Sequence, residues 1–168
     1  LASDRRRGRF FLFFQLSMAG NFGLILSQDA IGFYVFFALM SFASYGLVVH
    51  TGEASALRAG RIYIYLVVVG EMMIFTAFLL LADSTGSLLL QDFRNTRPGN
   101  MTVILLLVGF GIKAGALPVH VWLPLAHPAA PTPASAVLSG AMIKAGLLGW
   151  LRFLPLGTVA MPEWGALC

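Results

Sequence analysis

The chain has 168 residues, 58% hydrophobic and only 11% charged, with a mean hydropathy of +0.84. A soluble domain carries about a quarter charged residues, so this one lacks the polar surface to coat a globule in water. The net charge of +4 does not indicate nucleic acid, because the arginines cluster at the ends of apolar runs and make no basic face with interleaved aromatics.

The apolar runs approach the ~20 residues a helix needs to cross a bilayer, and five spans are predicted. The first runs over 9–27, opened by Arg5, Arg6, Arg7 and Arg9. Gln28 and Asp29 make a tight turn into the second, 30–50. A polar stretch with Glu53, Arg58 and Arg61 precedes the third, 62–82. The longest interruption, 83–100, carries Asp92, Arg94, Arg97 and a Pro98-Gly99 turn signal. The fourth span, 101–123, is predicted to be discontinuous. Gly109, Gly111 and Gly115 loosen it, and Pro118 removes a backbone donor inside it. Freed backbone groups at that depth need protein or a water-lined cavity, so this helix belongs beside a polar interior. Pro124, Pro128, Pro131 and Pro133 predict a stiff loop over 123–133, followed by the fifth span, 133–154. In that span Ala141, Ala145 and Gly149 form a ridge of small residues suited to close helix contact.

The fold class expected is all-α integral membrane, with about five transmembrane helices, one discontinuous, in a single domain over 1–168. With the N-terminus cytoplasmic, six arginines fall inside and three (Arg94, Arg97, Arg152) outside, which sets the expected orientation. The chain opens at Leu1 without a methionine, and a piece of a longer protein is expected.

Only two lysines are present, Lys113 and Lys144, each near the middle of a span. A charge at that depth costs about 2.5–3.5 kcal/mol on insertion scales, and both are too far from the headgroups to reach them. Both are therefore expected to face a polar interior, as functional residues or as interhelix hydrogen-bond donors. Glu71 stands alone in the third span. Burial disfavours the charged form of any ionisable group, so a close carboxylate–amine pair would switch with small changes around it. Glu71 is expected to pair with Lys113 or Lys144. His120 follows Lys113 by seven residues, on the same face of a regular helix, and imidazole can pass a proton near neutral pH. His127, in the proline-rich segment, is placed near the cytoplasmic mouth. The expected proton path is thus Lys113, Lys144, Glu71, His120 and His127, with the helix break at Gly115 and Pro118. Three scattered histidines and the single Cys168 offer no metal-ligand spacing, and no phosphate-binding glycine loop is present. No metal site, cofactor site or catalytic centre is expected in this chain.

Three stretches carry a family resemblance: Gly111-Ile112-Lys113-Ala114-Gly115-Ala116-Leu117-Pro118-Val119-His120-Val121-Trp122-Leu123-Pro124; Ala126-His127-Pro128-Ala129-Ala130-Pro131-Thr132-Pro133; and Ser139-Gly140-Ala141-Met142-Ile143-Lys144-Ala145-Gly146. They resemble the antiporter-like, proton-conducting subunits of respiratory complex I, a family that includes Mrp-type sodium/proton antiporters and membrane-bound hydrogenase complexes. The His127-Pro128-Ala129-Ala130-Pro131 segment leans toward the hydrogenase and formate hydrogenlyase branch. The resemblance implies that Lys113 is the channel lysine of the broken helix and that Lys144 hands protons onward. It implies one five-helix half of an inverted-repeat fold, partner subunits in a multisubunit complex, and the inner membrane of a prokaryote. The family usually has a glutamate where this chain has Ala38, so Glu71 is expected to take over that role. The function implied is proton translocation by a redox-driven complex, with no redox site in this chain. The alternatives are a sodium/proton antiporter module without redox coupling, an inactive structural subunit, and a retinal-binding photoreceptor, which the two lysines and the broken helix fit poorly.

Overall fold

The structure, a computed structural model, describes residues 6–154; Arg5 of the N-terminal cluster, Trp164 and Cys168 lie outside them. All regular elements among these residues are helical: α1 (Arg7–Leu26), α2 (Ala30–Val48), α3 (Ala54–Thr85), α4 (Leu90–Asn95), α5 (Asn100–Ala114), α6 (Trp122–Ala129), α7 (Thr132–Val137) and α8 (Ile143–Phe153), with a π-helical turn, Leu138–Met142, joining the last two. Four helical stretches are long and apolar enough to cross a membrane: α1, α2, α3 and the run Thr132–Phe153. α5 is apolar but shorter, at 15 residues.

Large apolar side chains cover the outside as well as the inside. Leu26, Tyr65, Met72 and Met101 are well exposed on the bundle surface, as expected of helices that face hydrocarbon. Without a hydrophobic drive between helices, close backbone approach supplies the contact. At Gly20 of α1, a Cβ would sit 2.7 Å from the Met40 amide nitrogen of α2. At Gly146 of α8, a Cβ would sit 2.6 Å from the Ala114 nitrogen and 2.7 Å from the Phe110 carbonyl oxygen of α5. Ala145 and Gly149 are buried and Ala141 half-buried, and Ala141 and Ala145 both line a surface groove.

Two edges organise the bundle. At the near edge, Arg6 donates to the Thr51 carbonyl at 2.9 Å, joining the start of α1 to the α2–α3 turn. At the far edge, the Ala30 amide donates to the Leu88 carbonyl at 2.9 Å and the Leu90 amide to the Gln28 carbonyl at 3.2 Å. Asp29 caps α2 there, accepting from the Gly32 amide at 2.7 Å.

Two stretches between the expected spans are largely helical. The polar stretch before the third span is mostly helix, because α3 starts at Ala54 and runs for 32 residues. The stretch 123–133, expected as a loop, is largely α6. Pro124 sits in that helix's first turn, where the backbone donors have no intrahelical partner in any case, and Pro128 sits in its last.

Candidate functional site

α5 stops at the lysine. Gly115, at φ +70°, ends the helix; its amide donates to the Ile112 carbonyl at 3.3 Å, and the Ala116 amide to the Gly111 carbonyl at 2.9 Å. This pair of bonds is the Schellman motif, which needs a left-handed residue just past the helix end. The Trp122 indole donates to the Ile112 carbonyl at 2.7 Å, so the first residue of α6 satisfies the cut end of α5. Lys113 thereby occupies the last turn, where the carbonyl end of the helix favours a cation.

Lys113 is 3% exposed. Its Nζ donates to Ser41 Oγ on α2 at 2.7 Å and to Tyr63 Oη on α3 at 3.2 Å. Both hydroxyls donate their own hydrogen to backbone carbonyls, Ser41 to Phe37 at 2.8 Å and Tyr63 to Ser41 at 3.0 Å. They therefore present lone pairs to the amine, an arrangement made for an ammonium donor. The rings of Phe37 and Tyr63 add cation–π contacts, each 5.5 Å from Nζ to the centroid. Two of the ammonium's three hydrogens are used by these hydroxyls, and the third is left for the cleft beside it.

Glu71 lines that cleft with Lys113, Ser41, Phe37, Val67, Gly70, Gly109 and Ile112. The space is about 10 Å³, room for the centre of about one water molecule. Glu71 is 5% exposed, and its Oε1 has no hydrogen-bond partner. The charges of Glu71 and Lys113 act on each other, and the Ser41 hydroxyl acts on the carboxyl as well. Their contact is through the shared cleft, without a direct ion pair. Gly70 of α3 and Gly109 of α5 hold the helices close here: a Cβ on Gly109 would meet the Gly70 carbonyl oxygen at 3.0 Å. Ala38 is half-buried on α2 and does not line the cleft.

The remaining expected residues are not gathered at this point. Lys144 is exposed, in a groove of about 510 Å³ between α1 and α8 lined by Asn21, Leu24, Ile25 and Leu148 among others. Among the described residues it does not share the cleft of Glu71 and Lys113. His120 lies in the break between α5 and α6, so a regular helix does not carry it to the face of Lys113; its buried Nδ1 has no partner. His127, in the last turn of α6, has Nδ1 2.6 Å from Ser135 Oγ, at a groove that also includes Thr132 and Ser139. Among the described residues, no group of three or more His, Cys, Asp or Glu side chains could hold a metal ion.

Sequence reasoning missed Ser41 and Tyr63. A serine inside an apolar helix bonds back to its own turn in most cases, and Tyr63, two residues from Arg61, reads as an interfacial aromatic. The available signal is the spacing of Ser41 and Ser44, which puts two hydroxyls on one face of an otherwise apolar helix.

Comparison with known proteins yields consistent relatives. A family model described as NADH:quinone oxidoreductase/Mrp antiporter, TM, matches residues 27–168. The chain is 38% identical to hydrogenase-4 component B of Escherichia coli (strain K12), over 90% of this chain and 24% of that protein. It is 33% identical to a Na(+)/H(+) antiporter subunit of Bacillus subtilis (strain 168), over 93% of this chain and 33% of that protein. Among solved structures, a chain of the membrane-bound sulfane sulfur reductase, an archaeal respiratory membrane complex, superposes with a TM-score of 0.80 at 26% identity, covering 92% of this chain and 33% of that one. A chain of the Mrp complex from Dietzia sp. DQ12-45-1b gives 0.74 at 25% identity, covering 84% and 28%. The chain thus spans a third or less of these relatives.

Proposed function

We propose, from the premise that this chain belongs to the NADH:quinone oxidoreductase/Mrp antiporter transmembrane family, that it is the lysine-bearing part of a proton-translocating subunit in a redox-driven membrane complex. The observation that carries the reading is the site at Lys113: a buried amine at a helix end, held by two hydroxyls and sharing a one-water cleft with a buried carboxyl. A charge in that position is costly unless it has a role. Lys113 holds the proton on Nζ while Glu71 is charged, and its third hydrogen can pass into the cleft. When the field of Glu71 changes, the amine's hold on its proton changes with it.

Glu71 takes the part that a glutamate at position 38 plays in the family. His120, in the break, and His127, in α6, extend the path toward the near edge. Lys144 continues it on the other side, with its groove covered by the rest of a longer subunit whose second half repeats this fold in inverted form. The near edge faces the cytoplasm of a prokaryotic cell across its inner membrane, and other membrane subunits supply the driving redox chemistry.

The test uses the full-length subunit in its complex, in liposomes with an enclosed pH-sensitive dye. Lys113→Ala and Glu71→Ala each lower donor-driven proton uptake by about a hundredfold, the low end of what a positioned acid–base group contributes. Ala38→Glu in the Glu71→Ala background restores much of it. Undiminished pumping by Lys113→Ala overturns the reading.

A second reading is favoured by the likeness to the Bacillus subtilis antiporter protein over 93% of this chain: the same site exchanges sodium for protons without redox coupling. Sodium-dependent proton movement in vesicles lacking any electron donor distinguishes it.

A further inference from the structure

We infer that Arg152 and Phe153, at the end of α8, form a latch that seals the far edge beneath Lys113, so that a proton held there does not leak out by that route. The inference rests on the reading of Lys113 as a proton carrier.

The levels of the bundle place the seal. α2 runs from the far edge inward, so Phe33 and Phe37 precede Ser41. α5 also starts at the far edge, and Phe110 lies about one 5.4 Å turn outside Lys113. α3 runs the other way, so Phe78 lies about two turns outside Glu71. Phe93 of α4 and Phe153 of α8 complete the layer. All six rings are buried. Phe153 closes the layer from α8, with centroids 4.4 Å from Phe78, 4.9 Å from Phe33, 5.8 Å from Phe110 and 6.3 Å from Phe93. Such a layer offers no polar atom to water, and a site without polar partners stays dry. A proton cannot cross it without a wetted path or a titratable group.

Arg152 anchors the end of α8. Its Nη1 donates to the Leu24 carbonyl at 3.0 Å and the Ser27 carbonyl at 2.9 Å, and its Nη2 donates to the Ile25 carbonyl. These carbonyls lie at the end of α1, where intrahelical donors run out and a cation is favoured. The half-buried guanidinium also lies 6.0 Å from the Phe33 ring centroid, at the rim of the layer. One residue therefore ties α8 to α1 while its neighbour packs into the ring cluster.

The test measures passive proton influx into liposomes holding the full-length subunit in its complex, with no electron donor and a potassium diffusion potential. Phe153→Ser removes the ring and adds a hydroxyl that can hold water; Arg152→Gln releases the α1 carbonyls and the cation–π contact with Phe33 while leaving all six rings in the chain. Phe153→Ser is expected to raise influx by at least about tenfold, one decade of rate, and Arg152→Gln to raise it severalfold, with Arg152→Lys restoring part of the seal. Phe153→Leu and the near-edge control Phe10→Ser stay at the wild-type level, and adding Lys113→Ala suppresses the leak. Absence of leak in Arg152→Gln overturns the latch even if Phe153→Ser fails to assemble. Equal leak in Phe10→Ser, or leak that persists without Lys113, also overturns it. Failure of the parent reading is separate, since it shows as donor-driven pumping that survives Lys113→Ala.

Discussion

On the near side of Lys113 the bundle buries Ser17, Ser44, Tyr63 and His50; on the far side it buries Phe33, Phe78, Phe93, Phe110 and Phe153. The same helices supply both sets. Ser17 of α1 and Ser44 of α2 meet at 3.1 Å, oxygen to oxygen, and Ser44 donates to the Met40 carbonyl at 2.7 Å, so these two hydroxyls are satisfied inside the bundle. The far half packs rings, some of them edge to face, as Phe33 and Phe110 do at 6.0 Å and 87°. Span-level hydropathy is blind to this difference. What separates the halves is the level in the membrane at which each hydroxyl or ring sits, and Lys113 lies where the two materials meet.

The comparison can be broken most forcefully from the aromatic side. Phe110→Ala should cost about 3 kcal/mol, the bottom of the range for such truncations in water, because lipid removes the transfer contribution and leaves the cavity. Chemical unfolding in detergent micelles measures it, and a loss below half that value would mean the rings are loosely packed. At the junction of the halves, Gly115→Ala places a Cβ at φ +70° and should cost about 1–2 kcal/mol; a neutral outcome in the same unfolding experiment would mean that the end of α5 can re-form elsewhere. The smallest expected change in stability lies in the polar half. Tyr63→Phe keeps the ring and removes one buried hydroxyl, for about 1 kcal/mol. Its larger effect is on transport: with the lysine held by Ser41 alone, donor-driven proton uptake should fall severalfold while the fold survives. Unchanged uptake would reduce Tyr63 to a packing residue.

Much of this architecture is legible in the sequence, for identifiable reasons. Lys113 declares itself because no headgroup lies within reach of a lysine in the middle of 101–123, and Gly115 with Pro118 marks a backbone that cannot continue as helix there. Lys144 shows the limit. Depth in an apolar run says that a charge is far from water, but not which face of the helix carries it. α6 is hidden for a different reason: four prolines read as a loop unless it is known that one of them falls where a helix needs no donor. Ser41 and Tyr63 are illegible singly, since each acquires its role only when α2 and α3 place it against a third helix.

α3 has a consequence for how any motion here must proceed. At 32 residues it is one unbroken rod of roughly 48 Å, longer than the hydrocarbon is thick, and it carries Tyr63, Glu71 and Phe78 on a single axis. Tilting or sliding such a rod moves the carboxylate only by shearing Phe78 across its ring neighbours at the same time. The break in the opposing strut lies at Gly115, on the lysine's side of the cleft, while α3 runs past the carboxylate as a single unbroken helix.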